Sequence, residues 1–248
     1  VNEAIEAVER SARARRQMAA DVAHELRTPL AALQAGLEEV RDGLVPADAA
    51  TLGRLHDQTV RLGRVVDDLA VLAAADDAPL GMTSGRTDLA RIVAEELTAR
   101  AAELRSAGVA TDSVDLDPVS VLADADRLHQ VVGNLLANVA RHCRPGDTVR
   151  VALHPVGRDA VLTVADTGPG IPAADLPRVF DRYWRGPGAG VSGSGLGLAV
   201  VREIVLAHGG EVEVRSPDQA GTTVVVRLPA VHNDGASAEA RPAGAQDG

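Results

Sequence analysis

The stretch that decides the fold is NLLANVARH, which runs from Asn134 to His142. Apolar residues at helical spacing predict a helix over residues 124–142, and the two asparagines, four residues apart, share one face of it. Arg141 follows three residues further along that face. Amide oxygens at this spacing suit a hard cation such as Mg²⁺ held beside phosphates. Two polar residues on an exposed helix face remain the alternative interpretation.

Two glycine-containing motifs lie downstream of this helix. DTGPG, from Asp166 to Gly170, follows a predicted strand over 160–165. A carboxylate there can accept a hydrogen bond from the exocyclic amine of a base, and glycines let a flat ring approach the backbone. GSGLG, from Gly193 to Gly197, opens a predicted helix over 196–207, whose first N–H groups can receive phosphate oxygens. Either motif alone indicates only a turn. The order of the motifs along the chain is what supports the interpretation as a base- and phosphate-binding site.

The second half of the chain is predicted to mix helices and strands. A helix is expected over 88–106, and strands are expected over 109–116, 119–123, 148–153, 160–165, 211–215 and 222–228, the last two forming a hairpin around Gly221. The segment 79–86 is predicted to be a hinge. Residues 231–248, rich in Ala, Gly, Asp and Asn, are expected to be disordered.

The first half of the chain predicts a helical hairpin. The apolar seam of its first helix is Met18, Val22, Leu26, Leu30, Leu33, Leu37, Val40 and Leu44, and that of its second is Leu52, Leu55, Thr59, Leu62, Val66 and Leu69. A break at 43–46 separates them. One hairpin cannot cover both seams, so pairing with a second copy into a four-helix bundle, a homodimer, is predicted.

A histidine motif, AHELRTPL, occupies residues 23–30 within the first helix. His24 lies off the apolar seam and is expected to face water, with Thr28 one turn further along the same face. A free imidazole is mostly neutral at pH 7, so Glu25 need only accept the ring proton while the other nitrogen attacks an electrophile. An exposed histidine beside a helix-bending proline, Pro29, is the alternative.

Composition excludes several classes of protein. The 248 residues carry a net charge of −10 and contain no lysine, so a Walker A loop, a Schiff-base enzyme and the lysine-dependent protein-kinase fold are excluded. The acidic balance argues against nucleic-acid binding. The single cysteine, Cys143, lies beside His142, but with His129 it lacks zinc-ligand spacing and is assigned to packing. Without an apolar run long enough to span a bilayer, the chain is expected to be soluble, unprocessed and cytoplasmic.

Five motifs together resemble the H, N, G1, F and G2 boxes of orthodox sensor histidine kinases, in the family's order. They are residues 24–30, 134–142, 166–170, 180–185 and 193–197, and the resemblance covers about 16–230. The resemblance implies a multidomain chain. An all-α hairpin forming a dimeric four-helix bundle precedes an α/β two-layer sandwich with a mixed sheet, of the kind shared with gyrase and Hsp90 ATPases.

The resemblance also implies roles for individual residues. His24 would accept the phosphoryl group of ATP, Glu25 would act as general base, and Thr28 would position the water used in phosphatase activity. Asn138 would bind Mg²⁺. The ATP-binding set would be Asn134, Asn138, Arg141, His142, Asp166, Gly168, Gly170, Gly193, Ser194, Gly195, Leu196 and Gly197, and the only three aromatic residues, Phe180, Tyr183 and Trp184, would anchor the ATP lid.

Some positions depart from the family pattern. Arg141 and His142 stand where a lysine and an aromatic residue are usual, and Ala23 replaces a common serine, which bears on rate and pocket detail. Asn134 occupies the place of the glutamate that gyrase-like ATPases use to activate water, so plain ATP hydrolysis is disfavoured. An anti-sigma serine kinase would not need the hairpin. A non-catalytic, nucleotide-binding dimeric scaffold remains the alternative.

The expected domain organisation follows from these motifs. Residues 1–15 would be a helical linker from an upstream sensor or membrane part, 16–78 the dimerisation and phosphotransfer domain, and 87–230 the ATP-binding domain. The expected partner is a response regulator receiver domain acting in trans. The chain is expected to be the cytoplasmic portion of a membrane-anchored protein, reaching the membrane only through an upstream segment.

Overall fold

The computed structural model describes residues 26–27, 29–77, 83–186, 195–217 and 221–231. Within these residues the chain forms two compact units. The first combines residues up to 81 with residues 172–204, and the second combines 82–171 with the residues from 205 onward.

The N-terminal part of the first unit is helical, as the apolar seams predict. The described residues of α1 are 26–27 and 29–41, and α2 spans Ala49–Asp77. The first helix ends in a tight turn in which the Leu44 N–H donates to the Glu39 carbonyl at 2.9 Å. The Asp48 carboxylate caps the second helix by accepting from the Thr51 N–H at 2.8 Å, and this bond lowers the pKa of Asp48.

The remainder of the first unit is a mostly irregular segment leading into a helix. It contains a short 3₁₀ turn, Leu176–Arg178, and the beginning of α5, Gly197–Ala207. Val179 and Leu196 are buried here. A guanidinium nitrogen of Arg182 donates to the Leu72 carbonyl of α2 at 3.2 Å, so this segment is bonded to the hairpin backbone within the unit.

The second unit is built on a five-stranded mixed sheet. Its elements are β1 Gly85–Asp88, α3 Leu89–Ser106, β2 Ala110–Leu116, β3 Ser120–Ala123, α4 Ala125–His142, β4 Thr148–Val156, β5 Asp159–Asp166, β6 Glu211–Arg215 and β7 Thr223–Pro229. The strand order is β2-β4-β5-β7-β6. Only the β2–β4 pair is parallel; the other three pairs are antiparallel.

Alternation along the strands divides this sheet into a buried and a more exposed face. In β4, Val149, Val151 and Leu153 are fully buried, whereas Arg150 is exposed and Ala152 is half-buried. Helices α3 and α4 pack against each other and bury their apolar sides, which include Ile92, Val93, Leu135 and Leu136. The predicted α/β domain with a mixed sheet is therefore confirmed.

A small second sheet was not expected from the sequence. The strand β1 pairs antiparallel with β3, with Thr87 opposite Val121, and the buried Thr87 hydroxyl donates to the Ala123 carbonyl at 3.0 Å. The four residues of β1, GRTD, have no apolar alternation, and their partner strand lies more than thirty residues away. Nothing local in the sequence therefore indicates the pairing.

None of the helices among the described residues is both long and apolar enough to cross a membrane.

Candidate nucleotide-binding site

Helix α4 carries the asparagine motif and is fixed at its N-terminus by the Asp124 carboxylate. This side chain accepts from the Arg127 N–H at 3.2 Å and from the Thr83 N–H at 3.0 Å. The Asp124 N–H in turn donates to Nε2 of His208 at 3.0 Å. The strongly amphipathic helix then buries one side in the core of the unit.

The opposite side of α4 presents the predicted polar residues. Asn134 and Asn138 are half-buried, although both their neighbours in sequence are buried. Arg141 is also half-buried, and its guanidinium donates to Oδ1 of Asn138 at 3.3 Å. His142 is the last residue of the helix and is exposed. One partly open face thus carries two amide side chains and a cation, the chemistry that phosphate oxygens and a hard metal ion require.

Asp166 ends β5, where that strand lies between β4 and β7. Its N–H donates to the Thr222 carbonyl at 2.8 Å. Its Oδ1 accepts from the Gly168 N–H at 2.9 Å and from the Thr222 N–H at 3.2 Å. Burial raises the pKa of Asp166, and these two backbone bonds oppose the increase. The result is a fixed, poorly solvated carboxylate at the end of the central strand of the sheet, a typical ligand-binding feature.

The turn after Asp166 is held by Ser216, a residue that no sequence motif had indicated. The Ile171 N–H donates to the buried Ser216 hydroxyl, which donates to the Gly221 carbonyl, both at 2.7 Å. A Cβ on Gly170 would lie 2.8 Å from this hydroxyl. Ser216 therefore ties the predicted glycine turn, 166–170, to the connection before β7.

Cys143 is a second residue at this turn, and its expected assignment to packing alone is incomplete. It directly follows α4, and a Cβ on Gly168 would lie 3.0 Å from its Sγ and 2.9 Å from Oδ1 of Asp166. The end of the asparagine helix therefore lies close to the aspartate turn. The Thr222 N–H is a third contributor that the motifs did not predict. The sequence offered a signal only for Cys143, which directly follows the asparagine motif, and for Thr222, which follows Gly221 of the predicted hairpin.

The aromatic segment and the second glycine motif belong to the first unit. The Tyr183 N–H donates to the Gly195 carbonyl at 3.0 Å, and a Cβ on Gly195 would lie within 2.9 Å of the Tyr183 and Trp184 backbones. Tyr183 has a φ of 62°, which is uncommon for a residue with a side chain. The Arg202 guanidinium lies 5.8 Å from the Phe180 ring centroid. Leu196 is fully buried, and Gly197 begins α5.

The described residues thus bring Asn134, Asn138, Arg141, His142, Asp166, Gly168 and Gly170 into one unit, and Phe180, Tyr183, Trp184, Gly195, Leu196 and Gly197 into the other. Five predicted site residues lie outside the described part of the chain: His24, Glu25, Thr28, Gly193 and Ser194.

An asparagine helix beside an aspartate turn on a mixed sheet defines a nucleotide-binding α/β domain. Residues 123–232 match the family model described as histidine kinase-, DNA gyrase B- and HSP90-like ATPase, and residues 14–78 match the His Kinase A phospho-acceptor domain. The predicted cofactor ATP is thereby supported at the level of the domain family.

Similar proteins agree with both matches. The chain is 32% identical over 231 residues to the signal transduction histidine-protein kinase BaeS of Escherichia coli. The aligned region covers 92% of the chain and 50% of BaeS. It is 41% identical over 223 residues to the probable sensor histidine kinase TcrY of Mycobacterium tuberculosis, covering 86% and 46%. The solved structure of the mycobacterial sensor histidine kinase MprB matches with 31% identity and a TM-score of 0.53, covering 60% of the chain and 98% of that structure.

This chain therefore belongs to the sensor histidine kinase family. It spans about half the length of the two curated relatives named above.

Proposed function

We propose that this chain phosphorylates His24 with ATP and passes the phosphoryl group to an aspartate in a response regulator receiver domain. The proposal rests above all on Asp166, a poorly solvated carboxylate with two backbone donors on one oxygen. An ionised carboxylate only accepts hydrogen bonds, so it suits the 6-amino group of adenine. Membership of the histidine kinase family supports the assignment of the reaction.

The phosphate end of the nucleotide would meet the open face of α4. Asn138 would offer its amide oxygen to Mg²⁺, with Asn134 in support, and Arg141 would face the phosphates. When bound, Mg²⁺ would offset negative charge on the phosphates during transfer. His142, Gly168, Gly170, Gly193, Ser194, Gly195, Leu196 and Gly197 would complete the pocket, and Phe180, Tyr183 and Trp184 would anchor its lid.

We place the acceptor of the phosphoryl group among the H-box residues. The His24 ring would attack phosphorus in line with the leaving oxygen, while Glu25 accepts the proton from the other ring nitrogen. Thr28 would position a water for removal of phosphate from the partner. In this scheme 16–78 is the phosphotransfer domain, 79–86 a hinge and 87–230 the ATP-binding domain, and 1–15 leads from an upstream membrane anchor. The two curated relatives are about twice as long as the part of them that matches this chain.

Labelling with γ-labelled ATP tests this proposal. Incubation with Mg²⁺ is expected to give an acid-labile, base-stable phosphoprotein, and His24→Ala is expected to reduce labelling to background. The matched control is His56→Ala, an exposed histidine of α2 whose loss should leave labelling unchanged. Undiminished label in His24→Ala would refute the acceptor. ADP binding by a wild-type chain that never becomes labelled would favour a dimeric scaffold instead.

A further inference from the structure

Cys143, the only cysteine of the chain, borders the carboxylate proposed to bind adenine. Its backbone N–H closes the last turn of α4 by donating to the Val139 carbonyl at 3.0 Å, which fixes where the side chain starts. A Cβ placed on Gly168 would lie 3.0 Å from the Cys143 Sγ and 2.9 Å from Oδ1 of Asp166. Thiol and carboxylate therefore approach each other over this one glycine.

The direction of a hydrogen bond between the thiol and the carboxylate follows from their protonation. Burial raises the pKa of the Cys143 thiol to about 12, and the negative charges of Asp166 and Asp147 reinforce the increase. The thiol is therefore protonated at neutral pH and donates, and the Asp166 carboxylate accepts.

Two backbone donors, the N–H groups of Gly168 and Thr222, bond one poorly solvated carboxylate, and the thiol of Cys143 lies beside it as the third donor. Burial and the nearby Asp147 favour the protonated acid, whereas the three donors favour the carboxylate. Two of the donors are backbone N–H groups, which any substitution other than proline leaves in place. Cys143 is the side chain through which this balance can be changed.

We propose that Cys143 is a positioning residue for purine selection, whose S–H holds the Asp166 carboxylate ionised and oriented toward the 6-amino group of adenine. This inference rests on the proposed function, because it takes Asp166 to be the adenine acceptor. When Asp166 is ionised, its carboxylate and the 6-oxo oxygen of the purine are both hydrogen-bond acceptors, so no hydrogen bond can form between them. A protonated Asp166 can donate to the 6-oxo oxygen, so weaker ionisation relaxes discrimination.

The test compares ADP with IDP, which present a 6-amino and a 6-oxo group at the same ring position. Binding of each to the full chain is measured by calorimetry between pH 5.5 and 8.5 for wild type, Cys143→Ala and Cys143→Ser. ADP affinity is expected to fall at acid pH as Asp166 becomes protonated, and this fall is the acid limb of ADP binding. Cys143→Ala removes one hydrogen bond to the carboxylate, so its acid limb is expected at higher pH than that of wild type. The preference for ADP over IDP at pH 6 is expected to decrease by roughly three- to tenfold. Cys143→Ser keeps a donor and is expected to move that limb to lower pH.

Different outcomes separate the two proposals. If Cys143→Ala weakens ADP and IDP equally at every pH, the thiol only packs and this inference is overturned. Should Cys143→Ala not fold, an acid limb in Cys143→Ser that stays at the wild-type pH or moves upward overturns it as well. If wild type shows no preference for ADP over IDP and Asp166→Asn binds ADP normally, the assignment of Asp166, and with it the nucleotide site of the proposed function, has failed.

Discussion

Among single residues, the glycines of the proposed nucleotide site permit close backbone approaches that a residue with a side chain would obstruct. Gly221 has a φ of 87°, and a Cβ there would overlap the carbonyl oxygen of Asp166. The Gly221 carbonyl also accepts a hydrogen bond from the Ser216 hydroxyl. One glycine therefore allows β7 to begin against the end of β5, which brings the Thr222 N–H to the Asp166 carboxylate.

We expect Gly221→Ala to destabilise the fold by at least about 2 kcal/mol more than Gly157→Ala, because overlap adds to backbone strain. Gly157 is the matched control: it also has a positive φ, 63°, but a Cβ added there would meet no heavy atom within 4 Å. Urea unfolding of both variants measures the difference. Equal losses of stability would show that the site tolerates a side chain at Gly221.

Among the elements, the parallel β2–β4 pair carries an ionic cluster on its more exposed face. Nδ1 of His154 lies 2.9 Å from Oδ2 of Asp117, and its Nε2 lies 3.6 Å from Oδ2 of Asp115. The hydrogen bond to Asp117, followed by the charges of Asp115 and Asp117, raises the pKa of His154. The edge strand β2 is thus bonded to β4 most strongly when His154 is charged.

This cluster predicts a pH-dependent contribution to stability. Because the folded-state pKa is raised, the contribution is fully present below the ordinary histidine pKa and is lost as pH rises through the folded value. The difference in urea midpoint between wild type and His154→Gln is therefore expected to be largest at pH 5.5 and to vanish by pH 9.

The control repeats the His154→Gln comparison in an Asp115→Asn, Asp117→Asn background, where the difference should be small at every pH. A wild-type advantage that grew toward alkaline pH would contradict the sign of the shift.

For the molecule as a whole, several leucine side chains of the helical hairpin are exposed to solvent in a single chain. Leu30 and Leu37, one heptad apart on α1, are 44% and 52% exposed, and Leu52 on α2 is 55% exposed. All three belong to the predicted seams. Exposed leucines at heptad spacing are typical of helices that pair with another copy, which supports the proposed homodimer.

We expect the full chain to sediment at twice its 25.6 kDa mass, and Leu37→Arg with Leu52→Arg to raise the dimer dissociation constant at least about tenfold, because two charges would be desolvated. Leu122→Arg is the matched control, since Leu122 is 63% exposed on β3, outside the hairpin. Analytical ultracentrifugation distinguishes the cases. A hairpin variant that remains as dimeric as Leu122→Arg would place the interface elsewhere.

Features that depend on near neighbours along the chain could be predicted from the amino-acid sequence alone. Helical seams predicted α1 and α2, alternation predicted β2 to β7 to within a few residues, and a helix periodicity put Asn134 and Asn138 on one face. These features follow from local geometry, since side-chain direction repeats every 3.6 residues in a helix and every two in a strand. The motifs also led to the family, although the roles of His24 and its neighbours stay predictions.

Which distant segments meet was decided by tertiary folding and could not be predicted. The strand order, the parallel β2–β4 pair and the strand β1 depend on contacts with no local signature. For the same reason Cys143, Ser216 and Thr222 were not recognised at the Asp166 turn, although Thr222 donates to a carboxylate 56 residues away. Local periodicity shows which side chains a helix or strand presents; folding brings the distant donors to one buried carboxylate.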